Sequence, residues 1–268
     1  MHAGGAMIEI VALTPLSLEA FLKNVYLSVQ FLDLRCSLYD DIFSHLFFVH
    51  LKVCMVHPER LKWLSLIAGT SQDDTSNESI VFTSLMLHPL LSFKGLEHLD
   101  LGHLCTAHMN NTFLSNLALS CPGLKELYLG DQGVWLVAPL VTFDGVTSLL
   151  KHFRQLLSLG VFFNATFNSG AVYTAPADAI SPKIRDFHVG TSPINEPVKV
   201  AAVLSFLFPS ATCISHCIPK EQPEQLQARL KKWGSVDKMF GTFVAARKQS
   251  WERGWAEGKA AVEKTIMA

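Results

Sequence analysis

The phrase L-x-x-L-x-L recurs along this 268-residue chain, and no other feature limits its fold as strongly. It reads most clearly in CPGLKELYLG, residues 121–130, through Leu124, Leu127 and Leu129. GLEHLDLG repeats it with Leu96, Leu99 and Leu101. Variants begin at Val29, Leu61, Leu156 and Ile184, and a degenerate one pairs Ala211 with Ile214. The starting positions 29, 61, 96, 124, 156, 184 and 211 give intervals of 32, 35, 28, 32, 28 and 27 residues. One such phrase means little in apolar sequence. Seven of them, each about one supersecondary unit apart, mark a solenoid whose units share a core that none could bury alone.

The segments between phrases predict helices. In MNNTFLSNLALSCPG, Asn111 or Thr112 can cap a helix carrying Phe113, Leu114, Leu117 and Leu119, and Pro122-Gly123 stops it. FDGVTSLLKHFRQL offers Asp144 as a cap, with Val146, Leu149, Leu150 and Phe153 in helical spacing. NEPVKVAAVLSFLFPS is capped by Asn195 and ended by Pro209, and SLEAFLKN is opened by Ser17. LYDDIFSHLFF (38–48) lies between two strand phrases and reads as another repeat helix. A strand joined to the next through a helical crossover must pair with it in parallel. TSQDDTSNES (70–79) and SGAVYTAPADAISP (169–182) read as insertions.

Here the residues carry a resemblance. CPGLKELYLG resembles the C-P-x-L-x-x-L-x-L junction of the cysteine-containing leucine-rich repeats. With SLEAFLKN, SPKIRDFHVG and a Trp-rich tail, the chain is similar to the irregular, helix-containing leucine-rich repeat domains of F-box proteins from mushroom-forming fungi (basidiomycetes), over roughly residues 8–240. The resemblance implies an α/β right-handed superhelix, with parallel strands on the concave side and helices outside. It also implies the substrate-binding part of an F-box-type adaptor in a Skp/cullin ubiquitin ligase. The chain departs from the pattern in two ways. The Asn or Cys expected after each strand is met by Asn164, whereas Leu104, Gln132 and Ser192 hold the equivalent sites. The leucine-proline-acidic opening of an F-box is not evident, so contact with a Skp-type adaptor would need an F-box upstream of Met1.

Bulk properties exclude several classes. Hydrophobic residues make up 49% of the chain and charged ones 17%. The richest apolar run, Ile42 to Val56, is interrupted by His45, His50 and Lys52, so no membrane-spanning helix is expected. The first residues lack the basic region of a secretory signal. Six scattered cysteines without a CxxC pair fit free thiols in the cytoplasm or nucleus. The net charge of −1 divides into a mildly acidic body and a mildly basic tail, and neither suggests nucleic acid.

The phrase also assigns faces. Its leucines point inward, and its third and fifth positions point out of the sheet. The third-position column is Phe31, Trp63, His98, Glu126, Ser158, Asp186 and Cys213, and the fifth is Asp33, Ser65, Asp100, Tyr128, Gly160, His188 and Ser215. The candidate partner-binding residues are therefore Phe31, Asp33, Trp63, Ser65, His98, Asp100, Glu126, Tyr128, Asp186 and His188. Trp63, Phe31 and Tyr128 are the candidate anchors, since aromatic residues dominate binding hot spots. The same residues also fit ordinary exposed strand positions.

Catalytic and metal chemistry find little footing. His98, His103, Cys105 and His108 lack a recognised zinc spacing, with His103 and His108 expected in a loop and a helix. Cys213, His216 and Cys217 need a fourth ligand. Cys121 as a nucleophile would need a base and an orienting group, whereas a small thiol at a helix end packs well. LGDQGVW lacks the spacing of a phosphate cradle. No catalytic residue, metal site or cofactor is expected.

Residues 1–218 therefore read as about seven irregular repeats, and 219–268 as a helical cap with a basic tail. Leu226, Leu230, Trp233, Val236 and Phe240 are placed to cover the open leucine edge. Gly254 and Gly258 lead to the expectation of a frayed end. The expected function is non-catalytic protein recognition. A stand-alone repeat scaffold or inhibitor without a ligase link is the competing reading, and a hydrolase the third.

Overall fold

Each leucine phrase becomes a short strand, because its inward residues alternate with polar or aromatic ones. The computed structural model describes residues 6–37, 43–69, 81–168, 173–217 and 224–267. Side chains of the last helix, Gln225 aside, are described as far as Arg253. The chain runs through β1 (Met7–Ala12), α1 (Pro15–Lys23), β2 (Phe31–Ser37), α2 (Phe47–Cys54), β3 (Trp63–Gly69) and β4 (Val81–Thr83). It continues through α3 (Ser84–Leu87), β5 (His98–Leu101), β6 (Cys105–His108), α4 (Asn111–Ser120), β7 (Glu126–Leu129) and α5 (Phe143–His152). It ends through β8 (Ser158–Val161), β9 (Asp186–His188), α6 (Pro197–Leu207), β10 (Cys213–Ser215) and α7 (Glu224–Met267).

Eight strands form one sheet in the order β1-β2-β3-β5-β7-β8-β9-β10, every neighbouring pair parallel. This is a mixed α/β fold with a parallel sheet, compatible with a leucine-rich-repeat-like solenoid. The phrase leucines fill a single core: Leu32, Leu64, Leu99, Leu127 and Leu159 have no exposed surface, nor does Phe187 in the same row. Burying such a side chain is worth about 1.5–3 kcal/mol, so the leucine rows dominate stability.

The helix ends show where local chemistry sets the boundaries. Thr14, rather than Ser17, caps α1, and Ser17 completes the capping box from the third helical position. Asn110 caps α4 by accepting the Phe113 N–H at 2.9 Å, one residue before the expected position. Thr142 precedes α5, leaving Asp144 in its first turn, where a carboxylate suits the helix dipole. Glu196 rather than Asn195 precedes α6, whose first residue is Pro197.

Other differences are larger. MIEIVA forms an eighth sheet strand, although it carries no leucine phrase. β4 and β6 make a separate two-stranded sheet, which puts His108 on a strand rather than in a helix. In the 38–48 stretch the described helix, α2, starts only at Phe47, and 38–42 lie outside the described residues. The expected insertion at 70–79 lies outside them too, as do 169–172 of the second insertion. The described part of that insertion includes a 3-10 turn at Ala177–Ala179.

The last helix covers the far edge of the sheet. Leu226, Leu230, Trp233, Val236 and Phe240 are all buried. The Trp233 indole donates a 2.7 Å hydrogen bond to the Ser192 carbonyl. Asp237 accepts the Ile214 N–H of the edge strand β10 at 2.9 Å, satisfying a group that an edge leaves open. Helical backbone continues through Gly254 and Gly258 to Met267, so the expected fraying does not appear. Among the described residues, no helix is long and apolar enough to cross a membrane.

Candidate functional site

The outward residues of the strands line up as two unbroken columns. Phe31, Trp63, His98, Glu126, Ser158, Asp186 and Cys213 are successive register partners. So are Asp33, Ser65, Asp100, Tyr128, Gly160, His188 and Ser215, and β1 extends the two columns with Met7 and Glu9. Adjacent strands lie about 4.8 Å apart, so neighbours within a column touch.

That crowding changes the expected exposure. Asp33, Ser65, His98 and Ser158 are buried rather than outward and free. Phe31, Trp63, Asp100, Glu126, Tyr128 and His188 are half-buried, and Asp186 is exposed. Trp63 lies flat on His98, with centroids 3.4 Å apart and planes inclined by 3°, so one face of this anchor is already covered. Tyr128 donates to or accepts from Ser158 at 2.7 Å, and its ring meets His188 edge-on at 5.9 Å. Asp33 is held by the Arg35 guanidinium at 2.8 Å, which also reaches Glu9.

The columns thus separate into two neighbourhoods. Asp33, Arg35 and Glu9 form an internally paired set near β1. Farther along, His98, Asp100, Glu126, Tyr128 and His188 come together around an open groove of about 540 Å³. Phe31, Asp33, Trp63, Ser65 and Asp186 do not line that groove.

One lining residue escapes the repeat pattern. Asp131 follows β7 outside both columns, and only 4% of it is exposed. Gly130, at φ +70°, turns the chain there in a conformation that glycine adopts without strain. Gly160 then makes room, since a Cβ at that position would sit 2.4 Å from the Asp131 carboxyl carbon. Among the described residues, the Oδ1 atom of Asp131 has no hydrogen-bond partner. Burial pushes its carboxyl up to about 7; its own backbone N–H opposes this and the Asp100 charge adds to it. The readable signal was a bare glycine within a column of side chains.

His98 is the second tense group. Its Nδ1 lies 2.9 Å from the Glu126 carboxylate, whereas its buried Nε2 has no partner among the described residues. Burial lowers its pKa more than Glu126 raises it, so the ring is neutral near pH 7. His188 is likewise lowered by burial against the opposing Asp186 charge. Tyr128 is held in its phenol form, chiefly by burial.

Cys121 and Cys105 resolve as packing, whereas Cys213 is exposed and His216 and Cys217 line the groove. Cys121 is fully buried at the end of α4, and its thiol donates to the Phe93 carbonyl at 3.3 Å. Burial pushes that thiol up to about 12, far from a nucleophile's range. All six cysteines are free. Iodoacetamide at pH 8 is therefore expected to label the exposed Cys213 of folded protein and to spare Cys121, as peptide mass mapping would show. Leu104 and Cys105 are buried, and Phe162 packs with Cys105 and Ala107 beneath Trp135 and Val137. Ser192, where the repeat pattern expects Asn, accepts the Phe163 N–H at 3.0 Å. Among the described residues, no group of three or more His, Cys, Asp or Glu is placed to hold a metal ion.

The class these features define is an α/β fold with a parallel sheet, compatible with a leucine-rich-repeat-like solenoid, with a polar and aromatic groove on its open face. No family profile matches the chain, and no curated protein matches it. Among solved structures it is similar to a chain from the crystal structure of the Rad7 and Elc1 complex in yeast. That likeness has 16% identity and a TM-score of 0.24, and covers 77% of this chain and 68% of the other. It is too slight to bear on fold or function.

Proposed function

We propose that this chain is a non-catalytic protein-recognition module that holds its partner on the open face of the sheet. The observation that carries this reading is the groove at His98, Asp100, Glu126, Tyr128 and His188, where polar groups are assembled in register and buried atoms of His98 and of the adjoining Asp131 lack partners among the described residues. A face serving only stability would satisfy such groups or replace them with apolar ones. In this reading residues 1–218 are the repeat body, with its strands on the concave side, and 219–268 are its helical cap and basic tail.

The resemblance to F-box-associated repeats extends the proposal to a place: the substrate-binding arm of a Skp/cullin ubiquitin ligase in the cytoplasm or nucleus. Recovery of a Skp-type adaptor with the chain from cells supports that arm. No adaptor, together with transcripts that begin at Met1, removes it and leaves a stand-alone scaffold or inhibitor. For the face itself, Trp63→Ala with Tyr128→Ala is expected to weaken capture of a partner identified by proximity labelling about a hundredfold. The domain should remain folded, because both side chains are only half-buried. Undiminished capture by the folded double variant contradicts the assignment.

A further inference from the structure

We infer that the groove beside Asp131 seats an arginine guanidinium from an exposed segment of a protein partner. This deepens the proposed recognition role and rests on it. The groove is built around acceptors. Asp131 and His98 are 4% and 7% exposed, both line it, and among the described residues Asp131 Oδ1 and His98 Nε2 have no hydrogen-bond partner. Glu126 accepts a hydrogen bond from the His98 Nδ1–H, which leaves Nε2 of the neutral ring as a lone-pair acceptor. The lining adds the Asp100 and Glu126 carboxylates and, among the described residues, contains no lysine or arginine.

The backbone has been cleared to place Asp131 there. A Cβ on Gly102 would lie 3.0 Å from its Oδ1, one on Gly160 2.4 Å from its carboxyl carbon, and one on Gly190 2.9 Å from its carbonyl oxygen. A buried carboxylate without a partner is costly, and here it has been accommodated rather than removed. The missing counterpart is a cation rich in donors. A guanidinium has five N–H donors and no acceptor, so it can serve separated acceptors together. Its flat face also suits the exposed side of an aromatic ring, which Tyr128 offers in the groove wall. Lysine presents a compact charge with three donors and fits spread acceptors less well.

The test titrates 13C-labelled protein with Ac-Gly-Arg-Gly-amide and with the same peptide carrying lysine or citrulline, the neutral isostere. The arginine peptide is expected to shift the His98 and His188 imidazole signals saturably. Lysine should bind about threefold or more weakly, and citrulline should give no saturable shift. Asp131→Asn should weaken arginine binding about tenfold or more. Glu59→Gln, exposed and away from the groove, should leave it within about twofold. No shift with arginine, citrulline equal to arginine, lysine equal to arginine, or an Asp131→Asn variant that binds like wild type each overturns the assignment. The wider reading fails separately. If partner capture is lost in the Trp63/Tyr128 double variant but kept in Asp131→Asn, the arginine pocket falls and the recognition face stands.

Discussion

Trp233→Ala is expected to lower the unfolding free energy by about 3–5 kcal/mol, the usual cost of truncating a buried tryptophan. Trp233 has no exposed surface, and its indole N–H holds the Ser192 carbonyl at 2.7 Å. Truncation opens a cavity between α7 and the rest of the core, and it orphans a carbonyl beneath the last strands. Domains are commonly stable by only about 5–15 kcal/mol, so this one change removes a large share. Urea denaturation measures the loss, and hydrogen exchange locates it. Protection should fall in α7, α6 and β10 before β2 and β3. A loss below about 1 kcal/mol, or uniform loss of protection, contradicts a covering role for α7.

Asp131→Asn is expected to act in the opposite direction and to depend on pH. The folded protein holds the Asp131 carboxyl at about 7, well above its ordinary value near 3.8. Between those values the native state keeps a proton that the unfolded chain has released. Stability from this residue is therefore full below about pH 4 and is lost as pH rises through about 7. Asparagine has no such loss. The variant's advantage should grow by about 2–3 kcal/mol between pH 5 and pH 8, following 1.36 kcal/mol per unit over the titrating range. Other ionisable side chains, Asp100, Glu126, Tyr128, His98, His188, His216 and Cys217, line the same groove. His98 and His188, both lowered by burial, give the opposite slope, so the difference between variant and wild type isolates Asp131. An advantage that stays constant with pH contradicts the buried, ionisable carboxylate. A gain in stability with a loss of binding would mark a position kept for function.

Much of the sheet was legible because the leucine phrase encodes register as well as strand position. Equating the third and fifth residues of seven phrases reproduces the pairing from Phe31 to Cys213 and from Asp33 to Ser215. The same periodicity placed Leu226, Leu230, Trp233, Val236 and Phe240 on one buried face of α7. MIEIVA was not legible as a sheet strand, since at the edge it needs no leucines and its residues alternate between exposed and half-buried. β4 and β6 are short strands that follow no repeat phrase.

The site was legible only in part. Sequence columns name His98, Asp100, Glu126, Tyr128 and His188, but not that crowding buries His98 or stacks Trp63 upon it. Asp131 lies beyond the phrase, and its position depends on Gly102, Gly160 and Gly190 from three other turns of chain. Such a residue becomes visible only when the strands are stacked, because its environment is assembled from distant segments.

The central claim is that partners engage the open sheet face rather than the helical side. Site-specific photo-crosslinking tests it most directly, with benzoylphenylalanine placed at Asp186 on that face or at Leu119, 62% exposed on α4. The account predicts a discrete protein adduct from position 186 and none from position 119. Adducts from position 119 alone, or equally from both, would contradict it.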